Sequence, residues 1–439
     1  MSHTLNRETF TTSRMMDFLS HKELTAQTGH RCEDWPLVAL KELMDNALDA
    51  CEDARISPEI EVAVDTDSIT VTDNGPGIPE STIRGVLDFS VKVSSREAYI
   101  SPTRGAQGNA LKTIMAMPFV LDGKRGSVEV TAHGVRHDIT LELDHVHQQP
   151  RFTHKTAEYG KTGTTVKVLW PDLASSILHG ARGQFLQIAE DYTFLNPHLQ
   201  LTLDWFGERR QIDATAPDWA KWLPSDPTSP HWYEAEHLTR LITGYIAHDP
   251  LLGGDRTIRE FIGKFKGFSG SSKQKAVLEA TGLGRVNLST LVTDRGVEQE
   301  LVASLLKAMR RHSKPIKPAA LGIIGRGHIE QRFADLGCEA ESFNYRKVAD
   351  ESEDGLPFVL ETAFGWCENL SNRRIITGVN WAPGIVNPFR QLGAVGRSLD
   401  GILEQQRAGH DEPIIFLLHA ACPRVAYTDR GKSAVVVRN

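Results

Sequence analysis

Leu37, Leu40, Leu43, Met44, Ala47, Leu48 and Cys51 recur at the three- and four-residue spacing of one buried helix face, which predicts a helix from about Pro36 to Glu52. Pro36 suits a first helical turn, and Asp34 before it is the expected cap. The period then changes from helical to alternating. Ile60, Val62 and Val64 alternate with polar residues, and Ile69 and Val71 lead into the loop Asp73-Asn74-Gly75-Pro76-Gly77, so two strands are expected there. Further strands are expected at Ser127 to Thr131, Asp138 to Leu143 and Thr164 to Trp170, and a helix at Leu111 to Met117. This is an α+β pattern, helices laid over a mostly antiparallel sheet. Between Trp170 and Pro230 the prolines at 171, 197, 217, 224, 227 and 230 interrupt the pattern, and the last three read as a domain linker. From about Trp232 to His312 the pattern is helical, and from about Pro318 onward it mixes strands and helices, including the apolar run Ile414 to Leu418.

A chain of 439 residues exceeds one ordinary core, and the punctuation divides it into 1–230, 231–317 and 318–439. With 40% hydrophobic and 24% charged residues, the composition is that of a globular protein. No apolar run reaches the ~20 residues of a membrane span and the N-terminus has no secretory pattern, so a cytoplasmic, nucleoid-associated protein without a membrane partner is expected. The five cysteines are scattered, with no CxxC pair, which argues against a thiolate metal site or a disulfide framework. The net charge of -7 is unevenly spread: Arg256 to Lys317 holds 13 Lys/Arg against 5 Asp/Glu, a local +8 that leaves -15 elsewhere.

The candidate chemistry starts at Glu42 and Asn46, four apart and therefore on one helix face. A carboxylate there can orient and deprotonate a water, while the amide oxygen supplies one ligand to a Mg2+ whose other positions go to phosphates and waters. On its own, ExxxN is read more simply as a solvated polar face. The loop after Val71 adds context, because Gly75 and Gly77 let the backbone approach a flat ligand and Asp73 can accept a hydrogen bond from an amino group. Then comes Arg104-Gly105-Ala106-Gln107-Gly108-Asn109-Ala110, a small-residue loop opening a helix, where free N–H groups suit a triphosphate. Gly163-Thr164-Thr165 follows on a later strand.

These elements, in this order, resemble the four nucleotide motifs of the GHKL superfamily and its Bergerat ATPase fold. The resemblance implies ATP and Mg2+ as cofactors, with Glu42 activating water, Asn46 holding Mg2+, Asp73 reading the adenine amino group, Thr164 among the ATP-binding residues, and Gly105 to Gly108 closing over the phosphates. Ala110 departs from the pattern, which has a further glycine there. The helix Lys41 to Ala50 and the loop Arg104 to Gly108 look most like the B-type component of DNA topoisomerase VI. Residues 236 to 312, with Thr281-Gly282-Leu283, resemble its central helix-two-turns-helix domain. Asn380-Trp381, Pro388-Phe389 and Tyr427 to Lys432 resemble its C-terminal transducer domain, an α/β sandwich of ribosomal-S5 type. In that family the lysine at Lys432 reaches the γ-phosphate, so it counts here as a catalytic candidate beside Glu42. A long helix follows that lysine in the family, whereas this chain stops at Asn439, so either the sequence is trimmed or its partner docks elsewhere.

The resemblance implies ATP-driven homodimerisation, double-stranded DNA as substrate and a DNA-cleaving topoisomerase VI A-like partner. Lys307, Arg310, Arg311 and Lys314, dense against an acidic background, are the candidate phosphate-backbone contacts. The alternative is a regulatory or defence-type GHKL switch that binds DNA or protein without strand passage. A sensor kinase is disfavoured, since His21 and His30 leave no room for a phosphoacceptor hairpin ahead of Glu42.

Overall fold

The computed structural model describes residues 19–86, 99–105, 110–144, 149–160, 162–249, 254–294, 296–392, 397–428 and 434–436. In the first region, helices α1 (His21–Thr28), α2 (Trp35–Asp53), α3 (Glu80–Val86), α4 (Ala110–Asp122), α5 (Ser175–Gly180) and α6 (Arg182–Leu195) accompany eight strands. These are β1 (Glu59–Asp65), β2 (Ser68–Asp73), β3 (Arg125–Ala132), β4 (Val135–Asp144), β5 (Gln149–Glu158), β6 (Thr164–Leu169), β7 (Gln200–Trp205) and β8 (Glu208–Ile212). They form one sheet in the order β5-β4-β3-β6-β2-β1-β7-β8, antiparallel except for the β1–β7 pair. Alternation decides the faces: Ile60, Val62 and Val64 of β1 and Ile69 and Val71 of β2 point into one core with Leu40, Leu43, Met44 and Leu48 of α2.

One sequence expectation needs correction. Asp34 makes no side-chain cap on α2; it ends a 3-10 turn, Cys32–Asp34, that runs straight into the helix and covers its first N–H groups. Between Trp170 and the prolines at 224, 227 and 230 the chain holds α5, α6, β7 and β8, and α6 is buried along most of its length.

The middle region consists of α7 (Ala235–His248), α8 (Ile258–Ile262), α9 (Ser271–Thr281) and α10 (Gln299–His312), with a small ribbon of β9 (Val292–Thr293) and β10 (Gly296–Val297). Its core is separate and built on Trp232, Phe261, Phe265, Leu305 and Met309. In the last region, α11 (Arg326–Asp335) and α12 (Leu399–Gln405) accompany β11 (Asn344–Glu351), β12 (Pro357–Trp366), β13 (Arg374–Val379), β14 (Ala382–Pro383) and β15 (Ile414–Ala421). The sheet order is β11-β12-β15-β13-β14. α6 joins the first and last regions: Tyr192 donates to Asp45 of α2 at 2.7 Å, while Glu190 and Asp191 pair with Arg374 of β13 at 2.7 and 2.6 Å.

Candidate functional site

Asp73 ends β2, where pairing with Thr164 of β6 fixes its height. Its Oδ1 accepts the backbone N–H of Gly75 at 2.8 Å and of Thr164 at 3.3 Å. Burial raises the Asp73 carboxyl above its ordinary value, and the two backbone donors oppose that rise. The Thr164 hydroxyl is buried beside the carboxyl and likewise opposes the rise. The glycines are needed for space. A Cβ on Gly163 would meet Asp73 O at 2.0 Å, and Gly77, at φ +94, lies against His133.

Opposite the loop runs α2, with Glu42 half-buried and Asn46 exposed. Glu42, Asn46 and Ala50 sit at i, i+4 and i+8, a shallow stripe that ends at the Asp73 loop, where a Cβ on Gly75 would be 3.6 Å from Ala50 Cβ. Glu42 therefore stands about 12 Å along the helix axis from the loop, a span that a nucleoside triphosphate bridges from base to terminal phosphate. The Asp73 loop with its glycines thus lies at one end of this stripe, and the Glu42 carboxylate, with the Asn46 amide one turn away, at the other. Among the described residues no three His, Cys, Asp or Glu side chains cluster as a metal cage, so a cation here would take most of its ligands from phosphate and water.

Residues 33–174 match the family of histidine kinase-, DNA gyrase B- and HSP90-like ATPases. The chain is topoisomerase VI B-like, with a GHKL ATPase domain. The B-type component of type 2 DNA topoisomerase 6 from Archaeoglobus fulgidus is 24% identical over 91% of this chain and 66% of its own length. That of Metallosphaera sedula is 23% identical over 90% and 75%, and that of Methanosarcina mazei 23% over 91% and 64%. The chain thus spans about two thirds of the length of the curated relatives it matches. Among solved structures, the ATPase region of Saccharomyces cerevisiae topoisomerase II is similar at a TM-score of 0.41 and 12% identity, over 91% of this chain and 76% of that one.

In this topoisomerase VI B-like chain, one expected ATP contact turns out otherwise. The Arg104 side chain is fully buried and turned into the protein, donating to Asp49 at 2.8 Å, to Glu52 at 2.6 and 2.7 Å, and to Asn196. Its charge is spent on those carboxylates and is not open to a phosphate. Ala106, Gln107, Gly108 and Asn109 lie outside the described residues, as does Lys432. Gly105, just before them, is half-buried.

The basic segment also divides. Lys307, Arg311 and Lys314 are exposed around the C-terminal end of α10, as expected of phosphate contacts. Arg310 is committed elsewhere, since its guanidinium donates to the carbonyls of Pro230 and Tyr233 and ties α10 to the chain entering the middle region. Sequence reasoning missed Glu52, Asn196 and Lys221. Burial pushes the Glu52 carboxyl up, yet Arg104 and Lys221 outweigh it and hold the group well below the usual carboxylate range.

Proposed function

We propose that the chain is the ATP-binding and hydrolysing B-type component of a topoisomerase VI-like complex, an ATP-gated dimerisation clamp on DNA that drives a DNA-cleaving A-type partner. The observation that carries the reading is the Asp73 carboxylate, anchored at the end of β2 by two backbone donors and set beside an α2 stripe that runs from Ala50 to Glu42. On this reading the adenine amino group donates to Asp73 Oδ2, and the Thr164 hydroxyl completes the base contact. Asn46 offers its Oδ1 to Mg2+, which when bound neutralises phosphate charge. Glu42 accepts a proton from the attacking water and holds it in line with the terminal phosphate. Gly75, Gly77, Gly105 and the loop to Asn109 supply backbone N–H groups and close approach. The C-terminal region acts as transducer, with Lys432 reaching the γ-phosphate, and the middle region as the helix-two-turns-helix domain. Lys307, Arg311 and Lys314 contact the DNA backbone, a salt-sensitive and sequence-blind interaction.

The test is a comparison of parent and Glu42→Ala. The variant is expected to bind ATP and form ATP-dependent dimers while turnover falls roughly 10²–10⁴-fold, the size of a lost general base. Hydrolysis at the parental rate would sink the assignment of Glu42. A relaxation assay with an A-type partner tests the larger claim; nucleotide-driven DNA binding without ATP-dependent relaxation would leave a GHKL switch and no strand passage.

A further inference from the structure

The register of β13 and β14, with Gly378 opposite Pro383 and Val379 opposite Ala382, leaves Asn380 and Trp381 as a two-residue turn. Both have positive φ, +49 and +64. Such a turn suits Asn and Gly, whereas a bulky side chain is strained there and stays only where its surroundings fix it. Here the surroundings belong to the nucleotide-bearing half of the molecule. Asn196 Nδ2 donates to Trp381 O at 2.9 Å, and Asn380 Nδ2 to Thr103 O at 3.3 Å. The indole, fully buried, lies 4.8 Å from the Lys221 ammonium. That ammonium is 2.9 Å from Glu52 Oε2, and Glu52 closes the same α2 helix that carries Glu42 and Asn46.

The cluster is dry and balanced. Side-chain exposures are 1% for Lys221, 4% for Glu52 and 0% for Arg104. Arg104 and Lys221 face two carboxylates, Asp49 and Glu52; burial lowers the pKa of both Lys221 and His198, and Glu52 beside each opposes that fall. Moving Glu52 away from Arg104 and Lys221 strips both cations of a carboxylate in a low-dielectric interior, which favours one offset between them and α2. Helix α2 and the tip of the β13–β14 hairpin are therefore held at a fixed offset by the series Glu52–Lys221–Trp381.

We propose that Lys221 and Trp381 are positioning residues that lock the C-terminal hairpin onto the nucleotide helix α2, so that a shift of the Glu42–Asn46 face changes the angle of the C-terminal region. The inference rests on the nucleotide reading given above and names the joint through which that site acts. Lysine fits because it can pair with a carboxylate and sit over a ring at once, and arginine can do the same.

The test uses the full chain with Lys221→Met, Lys221→Arg and Trp381→Leu. Lys221→Met leaves Glu52 with Arg104 and His198 and fills the space with an apolar side chain. Binding of a fluorescent ATP analogue should stay within about twofold of parent, because the groove is intact, while ATP turnover falls at least tenfold. Trp381→Leu should give the same split, and Lys221→Arg should restore at least a third of the turnover. A second readout needs no hydrolysis: a non-hydrolysable ATP analogue should change the radius of gyration of the parent in scattering and leave that of Lys221→Met unchanged. Equal turnover and equal scattering response in parent and Lys221→Met overturn the proposal. So does a parent that binds nucleotide with neither turnover nor a change in dimensions, and so does a Lys221→Met that loses affinity and turnover by one common factor with a lowered melting temperature. A parent that binds no ATP analogue at all is a different result, which removes the nucleotide reading itself.

Discussion

At the scale of single residues, Asp73 illustrates how little separates a structural carboxylate from a reading one. Both backbone donors fall on Oδ1, and on the proposed reading the other oxygen serves the ligand. Asp73→Asn keeps the volume and removes an acceptor, and the amide must then set its NH2 against either the backbone N–H groups or the incoming amino group. A loss of about 1.5–3 kcal/mol in nucleotide binding is expected, roughly a 10–100-fold rise in Kd by titration calorimetry, with the melting temperature little changed. An unaltered Kd would remove Asp73 from the base site. The residues legible in sequence were those whose types and spacing state a chemistry: Glu42, Asn46 and Asp73. Arg104 was misread because its place in a glycine-rich segment gives no sign of which way a long side chain turns. Two carboxylates that reach it from α2, Asp49 and Glu52, decide that direction.

At the scale of elements, periodicity located α2, β1, β2, β3, β4 and β6 because each exposes one face and buries the other. It passed over α6 for the converse reason. Phe185, Ile188, Ala189, Tyr192, Phe194 and Leu195 are buried together with Glu190 and Asp191, so no polar stripe marks the helix. The junction of β2 and β6 depends on a glycine that any strand pattern would treat as a break. Gly163→Ala would place a methyl 2.0 Å from Asp73 O at a φ of +83. Strain of about 1–3 kcal/mol is expected, and the displaced Asp73 should lose nucleotide as well. Thermal melting and analogue binding should therefore fall together; a variant melting and binding as the parent does would show that the β2–β6 junction yields without cost.

At the scale of the whole molecule, the joint between the first and last regions is ionic and buried, and acid should loosen it. His328 of α11 meets Phe194 O of α6 at 3.0 Å, with Thr215 on its other nitrogen. Burial pushes its pKa down to about 4 from the ordinary 6.5. Between those values the unfolded chain binds the extra proton, so the stability this group contributes is present above about pH 6.5 and is lost as pH falls toward 4. The size is roughly 3 kcal/mol at most. Urea unfolding at pH 7 and pH 4.5 should show a smaller drop in stability for His328→Gln than for the parent, and an equal drop would exclude His328 as the group responsible.

The sequence by itself determined the ATPase core and the candidate groups of its site, because hydrophobic period, strand-end glycines and the Glu42–Asn46 spacing are local facts that no distant contact can change. The tertiary structure alone decided which charges are working parts and which are fasteners. Glu52, Arg104, Asn196, Lys221 and Trp381 are scattered from position 52 to 381, and only folding brings them into one dry cluster. There the cost of an unpaired charge makes the arrangement specific, and that cost depends on burial, which sequence order does not record.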